Sequence, residues 1–95
     1  MFPTTNTDSR FHPKEWILGL KVGGIFKAYP FSELKKSEGP VHDQIHGQQV
    51  HITFNAKANS ASATDVAGKP LPSVMAFWFA WYTFHPETQV YTKNH

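Results

Sequence analysis

Residues 73–84, "SVMAFWFAWYTF", carry no charge and hold six aromatic rings within eight positions, out of fourteen in the whole chain. A run this apolar cannot lie on a surface as a lone amphipathic element; other parts of the chain must cover it. Its strongly apolar part, 74–84, is far below the roughly 18–20 residues that span a bilayer. Periodicity cannot separate helix from strand when every position is apolar, so length decides, and the run is predicted as a helix. Ser73 can cap its start, nothing inside breaks it, and Pro86 forces an end nearby. On that helix Val74, Phe77, Trp78, Trp81, Phe84 and His85 share one face, expected to meet a sheet, where each buried ring stabilises by roughly 1.5–3 kcal/mol. Met75, Phe79 and Tyr82 lie toward the other side. That side is a candidate partner surface, since aromatics and Met are enriched at interfaces. A core role is the first reading of the run; a core that also offers a partner or homodimer surface, and a small apolar-ligand pocket or membrane contact, are the alternatives.

The rest of the chain reads as short strands. Pro3 and Pro13 punctuate residues 1–14, which are expected to be an extended arm ahead of one domain over 15–95. "WILGLKVGGIFKAYP" suits a hairpin turning at Gly23-Gly24, with Val22 opposite Ile25, Leu20 opposite Lys27, Gly19 opposite Ala28 and Leu18 opposite Tyr29. The Gly19/Ala28 pair leaves a shallow spot that another element could approach; a plain half-buried hairpin is the simpler reading. "PFSELKKSEGP" suits a one- or two-turn helix, stopped by Gly39-Pro40. "VHDQIHGQQVHITFN" is a second hairpin turning at His46-Gly47. A short strand near 60–66, a turn at Ala67-Gly68 and a final strand or tail in "TQVYTKN" complete the reading.

The second hairpin carries the main candidate for chemistry. Its register sets Ile45 against Gln48, Asp43 against Val50 and His42 against His51. Opposed Cβ atoms lie about 4.5–5.5 Å apart, so two imidazoles could hold zinc or copper with a third ligand from elsewhere. Gln44 and Gln49 are assigned to the opposite face, with Val50. Two solvated histidines on a polar strand face are the plain alternative. Asp43 is expected to be partly buried, and a buried carboxylate needs partners; Tyr29 and His85 are the candidates. His85, near the helix end, suits a capping role.

Absences narrow the class further. The chain has no cysteine, which excludes disulfides, thiolate metal sites and cysteine nucleophiles. No phosphate-cradling glycine loop, zinc-protease or serine-hydrolase motif occurs, which argues against an enzyme. The nine Lys/Arg are scattered at a net charge of +2, so no stripe tracks nucleic acid. No basic-then-apolar leader opens the chain, whose first residues read like a processed or truncated start.

Three blocks, in order, resemble the domain of unknown function 3179 family: "LGLKVGGIFKAYPFSEL" with Ala28-Tyr29-Pro30, "VHDQIHGQQVHITF", and "FWFAWYTFHPETQVY" with Trp81, His85 and Pro86. In longer relatives the second block is similar to a Val-Asn-Asp segment, a glycine turn and a strand running into Cys-Pro-Leu-Cys. Asp43 and Gly47 match that pattern. His42 stands where asparagine is usual, His51 where valine is common, and Asn55 and Ala58 where the cysteines are. Any redox or metal chemistry of those cysteines is therefore closed to this chain, and a histidine metal site would be a local invention. The central segment of longer relatives is also missing, as in a minimal branch. Many members look exported, which implies a periplasmic or extracytoplasmic setting.

Taken together, the residues predict an α+β domain: a small twisted antiparallel sheet or partly open barrel of about five strands, packed against one C-terminal aromatic helix. The leading functional expectation is a non-catalytic binding or accessory module acting through a protein partner, a second copy or a larger assembly. A Zn- or Cu-binding protein using His42 and His51 comes second, and an enzyme third.

Overall fold

Two-residue turns start both hairpins. In the computed structural model, which describes residues 11–37 and 39–92, β1 (Trp16–Val22) and β2 (Ile25–Pro30) flank Gly23-Gly24. Both glycines have positive φ, 57° and 83°, the tight turn whose twist matches an antiparallel pair. The predicted register holds along the hairpin, Leu18 facing Tyr29 and Gly19 facing Ala28. β3 (Val41–Ile45) and β4 (Gln48–Asn55) repeat the device with His46 and Gly47 at φ 50° and 79°, and His42 faces His51. The two turns meet, since a Cβ on Gly23 would lie 2.3 Å from the His46 ring.

The expected small α+β fold with a C-terminal helix is present, and among the described residues its strands number seven in two open sheets where about five were expected. β5 (Ser60–Thr64) extends the second hairpin into the order β3-β4-β5. β6 (Ser73–Phe77) and β7 (Gln89–Val90) flank the first to give β6-β1-β2-β7, with β7 parallel to β2. Alternation then sorts the side chains. Leu18, Leu20, Val22 and Tyr29 face Val41, Ile45, Val50, Ile52 and Ala63 of the other sheet. Ile17 and Ala28, on the reverse face, pack against Trp78 and Trp81 of α2 (Trp78–Phe84). The architecture is sheet on sheet on helix.

The predicted helix over 74–84 is corrected by half: residues 73–77 are a strand. β1 is buried on both faces and has β2 on one side only, so its second row of backbone groups needs a partner. β6 supplies it, with Ile17 opposite Ala76 and Gly19 opposite Val74. A helix through 74–77 would leave that row unpaired. Ser73 therefore caps nothing. The helix begins at Trp78, where the Trp78 N–H donates to the Glu15 carbonyl (2.7 Å) and the Phe79 N–H to the Pro13 carbonyl (2.9 Å). The same Glu15 uses its carboxylate to accept from the Ser32 N–H (2.7 Å), fixing the start of α1 (Phe31–Leu34). One residue thus holds both helix starts. Of the expected arm, residues 1–10 lie outside the described residues; Phe11 meets Trp78 edge to face at 5.4 Å. No helix among the described residues is long and apolar enough to cross a membrane.

Trp81 lies directly on Gly19: a Cβ there would fall 2.3 Å from the indole carbon Cζ3. The shallow spot read from the sequence is filled by the helix. Gly19→Val should therefore push α2 off the sheet and cost about 2–3 kcal/mol. Urea denaturation measures it; a variant as stable as the parent would show that this contact does not seat the helix.

Candidate functional site

Three places bring functional side chains together. The first lies between the sheets. Alternation points Lys27 and Tyr29 of β2 and Asp43 of β3 into the inter-sheet layer. There Tyr29 Oη donates to Asp43 Oδ2 at 2.7 Å, and Lys27 Nζ pairs with the same oxygen at 2.7 Å. Tyr91 lies against the Tyr29 ring at 5.4 Å. Burial by itself would raise the Asp43 carboxyl. The hydrogen bonds from Lys27, Tyr29 and the Gln44 backbone outweigh it and hold the carboxyl below the ordinary range. Burial, reinforced by the Asp43 carboxylate, pushes the Tyr29 hydroxyl up. A weakened base beside a weakened acid is poorly set for proton transfer near neutral pH. The cluster is a tie between sheets. Asp43 has the expected bond to Tyr29 and none to His85. Lys27 went unread in the sequence, yet its register opposite Leu20 already marks it as an inward cation needing an acid.

The second place is the outer face of the second sheet. His42 and His51 stack with ring centroids 4.3 Å apart and 26° between planes. Gln44 and Gln49, expected on the opposite face, share this one, because side chains two residues apart along a strand point the same way. These four residues, with Asp43 between them, border a depression of about 400 Å³. No group of three His, Cys, Asp or Glu side chains that could hold a metal gathers among the described residues.

The third place is apolar. Val74, Ala76, Ala80, Trp81, Phe84 and His85 line a cleft of about 460 Å³ between β6 and α2. His85 stacks on Phe26 at 3.9 Å, and its backbone N–H, rather than its ring, meets the Trp81 carbonyl. The side expected to join Met75, Phe79 and Tyr82 is not one helical face, because Met75 stands on β6. Met75 and Phe79 are 44% and 50% exposed, whereas Tyr82 leans on Trp78 at 5.2 Å and is half-buried.

Residues 1–70 match the family described as protein of unknown function, DUF3179. The chain belongs to that family. No curated protein and no solved structure matches it. The DUF3179 match contains Ala28, Tyr29, Pro30, Asp43 and Gly47, and therefore the whole Lys27–Asp43–Tyr29 tie. Trp81, His85 and Pro86 lie beyond it, as do β6 and α2.

The tie makes a pH prediction with a definite sign. A carboxyl held low in the folded state stabilises above its unfolded pKa, about 3.9, and loses that contribution as pH falls through the lower folded value. Stability should drop as the solution is acidified below about pH 4, and Asp43→Asn should flatten that part of the profile. Tyr29→Phe should cost about 1–2 kcal/mol at neutral pH and keep the acid limb, since Lys27 still pairs with Asp43. Denaturation midpoints across pH test both; an unchanged acid limb in Asp43→Asn would refute the assignment.

Proposed function

We propose that this DUF3179 domain is a non-catalytic docking module that holds a protein partner along the edge made by β6 and α2. One observation carries the reading: β6 is an edge strand, paired only with β1 among the described residues. Edge strands are commonly blunted by lysine, proline or a bulge, because an open row of backbone groups invites another strand. β6 contains no charged residue and no proline, and Val74 and Met75 are exposed on its two faces. Beside it α2 exposes Phe79 and Phe84, and the apolar cleft opens between them. An extended segment could add to the edge through main-chain hydrogen bonds and seat alternate apolar side chains in the cleft. The partner chemistry that fits is an extended, uncharged, apolar-rich segment of another protein. The weak acid–base character of the Tyr29–Asp43 pair supports a binding role over catalysis.

The test uses the native source. A photocrosslinker at position 75 or 79 should yield one defined adduct, whose purified partner rebinds the unmodified domain. Met75→Lys, which places a cation on the edge, should weaken that binding at least tenfold and leave the domain folded by circular dichroism. Equal binding by Met75→Lys and Phe79→Ser would refute the docking edge. A homodimer adduct would replace the foreign partner with a second copy.

A further inference from the structure

The outer face of the β3–β4 hairpin lies on a different sheet from the docking edge and carries its own chemistry. His42 and His51 face each other across the strands with their rings stacked at 4.3 Å. Among the described residues neither imidazole takes part in a hydrogen bond, so all four ring nitrogens are uncommitted. The next cross-strand pair along the same face is Gln44 and Gln49, whose amide oxygens are neutral acceptors. The depression they border has room for an ion with its water.

We infer that His42 and His51 form a copper(II) site on this face, two imidazole nitrogens completed by water and by the amide oxygens of Gln44 and Gln49. The stacked rings stand close enough for both to reach one ion. Turning each imidazole about its Cβ–Cγ bond brings two nitrogens onto one ion, and the turn breaks no hydrogen bond among the described residues. Donor chemistry selects the metal. Closed zinc sites take four tetrahedral ligands, usually thiolate or imidazole, and this face offers two. The nearest carboxylate, Asp43, is turned inward and held by Lys27 and Tyr29. A neutral set of two nitrogens with oxygens suits the tetragonal preference of copper(II), which also stands highest in the divalent affinity order.

The tag-free 95-residue chain, titrated with copper(II) in a non-chelating buffer, tests the site by electron paramagnetic resonance. One ion per chain with hyperfine structure from two imidazole nitrogens is expected. His42→Ala and His51→Ala should each lower affinity at least tenfold and reduce the pattern to one nitrogen, and His85→Ala should change neither. In the unsubstituted chain, substoichiometric copper should broaden the ring-proton resonances of His42 and His51 before those of His12, His46 and His85, a readout that needs no variant. Undiminished affinity in both alanine variants, first broadening at another histidine, or displacement of copper by equimolar zinc would each overturn the assignment.

Discussion

β1 has to be covered on every side, and the rest of the structure is arranged to do it. Ile17, Leu18 and Leu20 are each at most 1% exposed, so the strand is apolar on both faces. The second sheet covers one face and α2 the other, and β2 and β6 take up its two rows of backbone groups. Gly19 is the point where this crowding is tightest. With no side chain, it lets the Trp81 ring rest on the strand backbone and brings the helix close enough to bury Trp78 beside Ile17.

Between the two sheets, polar groups enter as a set. Lys27, Tyr29 and Asp43 share a single carboxylate oxygen between the two sheets. A partly buried ion pair adds little net stability over an apolar replacement, but parting its members leaves a charge without its partner in a poorly solvated layer. Sliding β3 past β2 by one pair would strand both charges, so the tie admits one alignment of the sheets. Asp43, which lies within the DUF3179 match, has one carboxylate oxygen engaged by both Lys27 and Tyr29.

The two remaining surfaces have opposite character. The outside of the second sheet is neutral and polar, with its histidines and glutamines in facing pairs. The β6 edge and the exposed rings of α2 form an apolar strip beside the first sheet, with Lys21 of β1 nearby against the Phe26 ring. Trp16, Phe77 and Phe79 continue that strip, with centroids 4.4 Å and 6.2 Å apart along the series. Residues 73–84 themselves carry no charge, so the strip is suited to an apolar segment.

Local chemistry made both hairpins legible. Gly-Gly and His-Gly turns with alternating strands fix which residues face each other, because turn length sets register and register sets the face. From that pairing alone come the Gly19 gap, the His42/His51 pair and the direction of Asp43. Lys27 was legible by the same rule, since it shares a face with Leu20. The aromatic run was not. Its composition permits helix and strand equally, and the choice at residues 73–77 belongs to β1, some fifty residues earlier, whose open backbone row could be satisfied only by an extended neighbour. The helix start at Trp78 was likewise decided at a distance, by carbonyls of Pro13 and Glu15 in place of Ser73. The sequence by itself determined the hairpins, their registers and their inward faces, because those depend on neighbours a few residues apart. Tertiary structure alone decided that one apolar run would become both an edge strand and a helix, because the unpaired groups that divide it lie elsewhere in the chain.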